Sequence, residues 1–335
     1  MSENDKSEGF VQNMLALSRA FMKSRAFLTG YELGIFTELR DGGKSSADVA
    51  HMLGTDERAT DRIMNALCSM GLLEKRGGIF SNTPDSDRFL VKGRPDYLAG
   101  LSHTLHLWHT WSTLTEAVKK GGTVMPSGVL GWSEDSKNAF IAAMHWRARV
   151  QAPEIASLID LEGVDRLLDV GGGSGIFSVA LVRSKKDIRA TVFDLPEVVP
   201  LTQDYIRQEG FAGMIDVIAG DYNVDELPSG FDLVFLSAII HSNSFDRNAD
   251  LICKCANALN PNGRVVVQDF IMNEDRTSPA PGAMFALNML VATKGGDTYT
   301  ETEIRGWMNK AGLTEISRTE SPHGQGLLIG RKKPD

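Results

Sequence analysis

Apolar residues recur at helical spacing from Val11 to Leu39, through Met14, Leu17, Phe21, Ala26, Leu33 and Phe36. That pattern predicts helix, with Gly30 and Gly34 as its weak points. In Lys44-Ser45-Ser46-Ala47-Asp48 a serine can cap a short helix that ends near Gly54. Thr55 is the expected cap of the next helix, which runs through Ile63, Leu67 and Met70 to Gly71. Residues 72–83 then predict two short strands about Gly77-Gly78. Helix, helix, hairpin is the order of a winged helix-turn-helix. Residues 101–155 return to helical patterning and are rich in aromatics and histidines. From Arg166 the pattern changes again. Short apolar runs at 167–170, 190–194, 214–219, 231–236, 264–269 and 326–330 alternate with helical stretches. Continuously apolar strands with helices between them predict a parallel sheet covered on both faces, a doubly wound α/β domain. The boundaries expected from these changes are 1–100, a helical connector at 101–155, and 156–335.

Composition narrows the function. The chain has 335 residues, 42% hydrophobic and 23% charged, with three cysteines. No apolar run approaches the ~18–20 residues of a membrane span. The polar, acidic start of the chain argues against a secretory signal, and three cysteines do not make a disulfide framework. A cytoplasmic protein without a membrane partner is expected. His103, His106 and His109 share a helix face, but no Cys or carboxylate completes a set with them, so no metal site is expected. A net charge of −8 disfavours a nucleic-acid surface. Residues 1–100 hold thirteen Lys and Arg against fourteen Asp and Glu. The winged helix therefore has no basic stripe for phosphates and reads as a scaffold or dimerisation element rather than a DNA reader.

Asp169-Val170-Gly171-Gly172-Gly173-Ser174-Gly175 closes a strand and opens a helix. Gly171, Gly173 and Gly175 allow a tight turn and close approach of a ligand to backbone. A dinucleotide fingerprint would need a small residue at 176, where Ile176 stands. Asp169, two positions before the loop, suits a cation and would repel pyrophosphate. Asp194 ends the second strand, where a carboxylate can take both hydroxyls of a ribose. Asp221 follows the third strand, placed to accept from an adenine amino group, with Tyr222 against the base. Three acids at three successive strand ends and a glycine loop point to an adenosine with a positively charged tail. S-adenosylmethionine fits that description.

The segments DVGGGSG (169–175), VFDLPEVV (192–199), AGDYN (219–223), FDLVFLSAIIH (231–241) and GRVVVQDF (263–270) resemble the two-domain small-molecule O-methyltransferases. That family includes the plant caffeate and acetylserotonin enzymes and bacterial relatives acting on phenolic metabolites. The resemblance covers nearly the whole chain. It implies a class I methyltransferase Rossmann-like sheet of seven strands with one antiparallel edge strand. It also implies an N-terminal winged-helix dimerisation domain, all-helical apart from its hairpin, that builds an intertwined homodimer. Carried onto this chain, Gly171 and its loop hold the methionine end. Asp194 with Leu195 takes the ribose, and Gly220, Asp221 and Tyr222 the adenine. Ser237 stands where many plant members have lysine, so one cofactor contact differs.

His241, at the carboxyl end of the fourth strand, matches the family's general base, and Asp269 its acidic partner. Imidazole titrates near neutrality and suits a phenol that must lose its proton. Ser242 follows the histidine where plant enzymes usually have Asp. The family's second acid aligns with Thr298, beside Asp297 and Glu301. The acceptor pocket is expected from Phe140, Met144, Trp146, Met284 and Asn288, with Met22 reaching in from the other subunit. His106, His109 and His145 are candidates to bond an acceptor oxygen. The reading is a homodimeric O-methyltransferase that uses S-adenosylmethionine on a hydroxylated small aromatic metabolite and releases S-adenosylhomocysteine. N-methylation, non-methylating chemistry on a polyketide, and a DNA-binding sensor of the cofactor remain as alternatives.

Overall fold

The computed structural model describes residues 3–125, 134–321 and 324–334. The chain divides into two units, Met1–Leu105 and His106–Asp335. In the first, the helical pattern of residues 11–39 becomes three helices: α1 (Glu3–Arg19), α2 (Phe21–Leu33) and α3 (Ile35–Glu38). Gly34 makes the second break by adopting φ 81°, a left-handed conformation that L side chains rarely take. Gly30 breaks nothing. A Cβ there would come within 2.7 Å of Leu67 Cδ1, so the missing side chain is what lets α2 approach the helix that carries Leu67.

The winged helix continues with β1 (Lys44–Ser45), α4 (Ser46–Leu53), α5 (Glu57–Ser69), β2 (Leu73–Arg76), β3 (Ile79–Asn82) and α6 (Pro84–Leu90). Ser45 caps α4 in a reciprocal box with Asp48. The cap of α5 is Asp56, whose carboxylate accepts from Ala59 N–H at 2.8 Å, and not Thr55. Thr55 instead bonds the Thr60 hydroxyl at 2.7 Å. Thr60, Met64 and Leu67 form the buried face of α5, packed with Ile35, Phe36, Val49 and Phe80. The hairpin gains a third strand, because β1 pairs with β3.

The second unit begins within α7 (Leu101–Trp111), followed by α8 (Leu114–Lys120) and α9 (Glu134–Ser157). The sheet strands and helices alternate as β4 (Arg166–Val170), α10 (Ile176–Ser184), β5 (Arg189–Asp194), α11 (Val199–Gln208), β6 (Ile215–Ala219), β7 (Phe231–Ser237), α12 (Phe245–Ala258) and β8 (Leu259–Asp269). The chain ends with β9 (Ile271–Met272), α13 (Ala280–Ala292), β10 (Tyr299–Thr300), α14 (Glu301–Lys310), β11 (Leu313–Glu320) and β12 (Gly326–Lys332).

Seven strands pair in the order β11-β12-β8-β7-β4-β5-β6. The antiparallel strand is β12, and it is not at the edge as expected. It lies between β8 and β11 and runs antiparallel to both. Strand alternation sends Leu168, Val170, Val234 and Val265 to one face and Leu167, Val192, Leu233 and Phe235 to the other. Both faces are covered, which is why these runs are apolar throughout. β11, a half-buried edge strand with alternating exposure, has no continuous apolar run in the sequence. β4 has β5 on one side and β7 on the other. Successive connections leave it in opposite directions, opening a crevice at its carboxyl end. No helix among the described residues is long and apolar enough to cross a membrane.

Candidate active site

The glycine loop follows β4 at this switch point. Gly171, Gly173 and Gly175 have φ of 69°, 57° and 72°. The loop is tied on three sides: Gly171 N–H donates to Phe193 O at 2.7 Å, Gly173 N–H to Asp194 Oδ2 at 2.7 Å, and the Thr202 hydroxyl to Gly173 O at 2.6 Å. A Cβ on Gly173 would meet only Ile141 Cδ1, at 4.0 Å. Its bare backbone therefore faces the crevice, where a ligand can lie against peptide groups. Gly220 is bare for the opposite reason: a Cβ there would overlap the Phe193 ring.

Asp194 serves the loop and the crevice together. Its two oxygens accept from Gly173 N–H and Leu195 N–H, each at 2.7 Å. This fixes the carboxylate plane and leaves a further lone pair on each oxygen, the arrangement a vicinal diol requires. Burial pushes the Asp194 carboxyl above the usual range. Asp169 is buried within the strand. Its Oδ2 accepts from the Ser178 hydroxyl at 2.7 Å, and its Oδ1 meets no donor. Burial first, and the Asp194 charge with it, push its carboxyl up to about 7. A cationic group at the loop would favour the ionised form.

Asp169 carries a testable consequence. The folded protein holds a proton there that the unfolded chain has released, so ligand-free stability should fall as pH rises from about 4 to about 7. The fall is on the order of 4 kcal/mol at most. In Asp169→Asn the decline measured by urea unfolding at pH 5 and pH 8 should shrink. An unchanged difference would mean that Asp169 is not its source.

Asp221 closes an Asx turn, accepting from Asn223 N–H at 2.9 Å and from its amide at 2.8 Å. Tyr222 packs beside the Gly171 backbone, with its hydroxyl donating to Asn243 Oδ1 at 3.3 Å. Ser237 ends β7 with its hydroxyl donating to Gln268 Oε1, and Gln268 in turn donates to Gln325 at 2.6 Å. The residues expected to hold the cofactor thus meet at the ends of β4, β5, β6 and β7. Bare glycine backbone, an orphaned buried carboxylate oxygen and a diol-ready Asp194 fit an adenosine with a cationic tail.

After β7, Ala238 takes a positive φ of 55° and the chain turns into a short 3-10 segment, Ile240–Ser242. This brings His241 to the end of β8. Its Nδ1 lies 3.0 Å from Asp269 Oδ1 and 2.9 Å from Oδ2. The Asp269 side chain is 1% exposed and that of His241 12%. Phe285 of α13 meets the imidazole edge-to-face at 4.7 Å. A carboxylate at Nδ1 fixes the tautomer with its proton there and leaves Nε2 with its lone pair. The backbone behind the ring is braced by Asp297 N–H, which donates to His241 O at 3.0 Å. A Cβ on Gly296 would collide with that same carbonyl.

None of the three candidates for a second acid reaches the imidazole. Asp297 accepts from Thr298 N–H at 2.8 Å and pairs with Arg276. Glu301 pairs with Arg305 and Arg318, and Thr298 is buried. Of the pocket candidates, Phe140 and Met144 are half-buried on α9. Asn288 Oδ1 accepts from Trp111 Nε1–H at 2.9 Å. Trp146 and Met284 are each 56% exposed, so the unit that holds them does not enclose them. His145 has its Nδ1 engaged within the protein. It bonds the Ser174 hydroxyl of the glycine loop at 3.0 Å and stacks on Tyr205. Trp111 and Gly296 carry no local signal in the sequence, because each acts through a partner more than fifty residues away. Among the described residues no group of three or more His, Cys, Asp or Glu is placed to hold a metal ion.

Two family models match the chain: an O-methyltransferase dimerisation domain over residues 15–92 and an O-methyltransferase domain over 111–314. A 3-hydroxy-5-methyl-1-naphthoate 3-O-methyltransferase of Streptomyces sahachiroi is 32% identical over 94% of both chains. The tetracenomycin polyketide synthesis 8-O-methyl transferase TcmO of Streptomyces glaucescens is 31% identical over 96% of both. The solved structure of PigF with SAH superposes with a TM-score of 0.87, covering 96% of this chain and 99% of that one at 24% identity, a likeness of fold. With a domain model matched over residues 111–314 and a relative 32% identical over 94% of the chain, this protein belongs to the S-adenosylmethionine-dependent O-methyltransferases.

Proposed function

We propose that the protein methylates a hydroxyl of a small aromatic acceptor, with His241 as general base. The carrying observation is the buried Asp269 carboxylate, with both oxygens within 3.0 Å of His241 Nδ1. S-adenosylmethionine supplies an electrophilic methyl and its own leaving group, so no acid is needed on the departing side. The protein's task is to position the acceptor and take its proton. His241 Nε2 receives the hydroxyl proton, and Asp269 holds the ring and stabilises the imidazolium that forms. With its Oδ1 taken by Trp111, Asn288 presents its NH2 as a donor for an acceptor oxygen. Phe285, Met284, Phe140 and Met144 supply flat and adaptable apolar surface for a ring system.

The cofactor's methionine end is assigned to Asp169 and the loop Gly171–Gly175, its ribose to Asp194 and Leu195, and its adenine to Gly220, Asp221 and Tyr222, with Ser237 closing the site. The naphthoate and polyketide acceptors named for the two Streptomyces relatives support a fused-ring aromatic here. The protein works as a homodimer. In the single chain, Phe10, Leu17, Phe21 and Met22 are all more than half exposed, an apolar row on α1 and the start of α2 for a second copy to cover. Residues 1–100 serve that contact, 101–155 border the acceptor, and 156–335 hold the cofactor and the dyad.

The test is a panel of hydroxynaphthoates, simple phenols and anilines incubated with S-adenosylmethionine and read by mass spectrometry. A methyl ether with equimolar S-adenosylhomocysteine is expected from the fused-ring phenols. Methylation of the amines alone would overturn the hydroxyl assignment.

A further inference from the structure

α9 presents residues 137, 141 and 145 at four-residue spacing, one above another on a single face. Two of them touch the glycine loop. Ile141 Cδ1 lies 4.0 Å from where a Gly173 side chain would begin. One turn on, His145 Nδ1 lies 3.0 Å from the Ser174 hydroxyl. Ser174 is 5% exposed, so its hydroxyl needs a partner inside the protein. The imidazole is held flat by Tyr205 of α11, ring centroids 4.2 Å apart and planes at 21°. His145 thus joins three elements: its own helix, the loop after β4, and α11, whose Thr202 holds Gly173 O from the other side.

The geometry points to His145 as a positioning residue that pins the glycine loop to α9, so that the loop is already in its ligand-ready shape before the cofactor arrives. This deepens the reading above and rests on the assignment of that loop to the cofactor. The physical basis is the cost of ordering. A loop with three left-handed glycines has many alternative conformations, and each bond that removes them in the free protein lowers the penalty at binding. The charges around the ring agree with a neutral imidazole. Burial lowers its pKa most, Arg149 lowers it further, and Glu209 opposes them, while Glu209 is itself held by Arg183 at 3.1 Å. α9 also carries Phe140 and Met144, proposed for the acceptor wall. His145 therefore places the cofactor loop and the acceptor wall on one rigid helix.

His145→Phe keeps a ring against Tyr205 and removes the bond to Ser174. Ser174→Ala removes the same bond from the loop side with little change of volume. His145→Asn puts an amide near the position of Nδ1 and should restore it. By calorimetry with S-adenosylhomocysteine, the first two variants should each raise Kd about three- to tenfold, the worth of one hydrogen bond. The double variant should be no worse than either single, and His145→Asn should approach the wild type. Hydrogen exchange of the ligand-free protein should quicken at the amides of residues 171–175 in His145→Phe. At saturating cofactor the acceptor KM should not move. Unchanged Kd and exchange in both single variants, or losses that add in the double, would overturn the proposal. A wild-type protein that does not bind S-adenosylhomocysteine would instead remove the loop's assignment and this inference with it.

Discussion

Replacing His241 by alanine is expected to lower kcat by about 10²–10⁴-fold while leaving the affinity for S-adenosylhomocysteine unchanged. The split follows from where the imidazole is held. Its Nδ1 is committed to Asp269 and its ring meets Phe285 edge-to-face, so what it has left to offer an acceptor is the Nε2 lone pair. That lone pair has one use in the proposed chemistry, to take a proton from the acceptor as its oxygen attacks. The size of the loss should therefore depend on the acceptor. A phenol made acidic by electron-withdrawing groups is already largely ionised and should be methylated by His241→Ala far better, relative to wild type, than an ordinary phenol. Asp269→Asn gives a second reading of the same bond. The amide can present its NH2 to Nδ1, which drives the proton to Nε2 and removes the base, so kcat should fall although the shape is kept. A His241→Ala enzyme with wild-type kcat on unactivated phenols would overturn the base assignment. An equal loss on all acceptors would assign His241 to orientation instead of proton removal.

The elements that were legible in the sequence are those where local chemistry and tertiary context agree. The strands β4, β5, β7 and β8 are buried on both faces, and their residues are apolar accordingly. The loop 171–175 announces itself because left-handed backbone needs glycine, and the carboxylates at 169, 194 and 221 stand at or beside the carboxyl ends of three strands, where ligands of such sheets bind. His241 is marked by the motif around it rather than by a signal of its own. What stayed hidden was relational. β11 alternates in exposure and carries few large apolar residues, so it differs little from a loop. Placing β12 inboard of β11 is a matter of pairing, which no single segment encodes. Thr55 and Asp56 are both good caps, and only the Asp56 bond to Ala59 N–H decides between them. The bond of His145 depends on Ser174, 29 residues on, and Arg276 and Arg318, which engage Asp297 and Glu301, come from other segments.

Asp194→Ala should raise the Kd for S-adenosylhomocysteine by about 10²-fold or more, the largest effect expected of any single change at the cofactor loop. Two contributions combine. A carboxylate that accepts from both hydroxyls of a ribose makes two charge-assisted bonds, each worth about 1.5–3 kcal/mol. The same carboxylate holds Gly173 N–H and Leu195 N–H, so its removal also loosens the loop and the turn after β5. Asparagine should be no gentle substitute. Both backbone partners are donors, and the amide must turn its NH2 toward one of them. Acidification offers an independent check. Burial holds the Asp194 carboxyl above the ordinary range, so it takes up a proton at a higher pH than an exposed aspartate, and the protonated form accepts less well from the diol. Affinity should therefore fall as pH drops toward that raised value, and the dependence should be weaker in Asp194→Ala. Asp194→Ala binding the product as tightly as the wild type would move the ribose away from β5. An alanine variant that loses binding while His241→Ala keeps it would separate the holding of the cofactor from the chemistry done beside it.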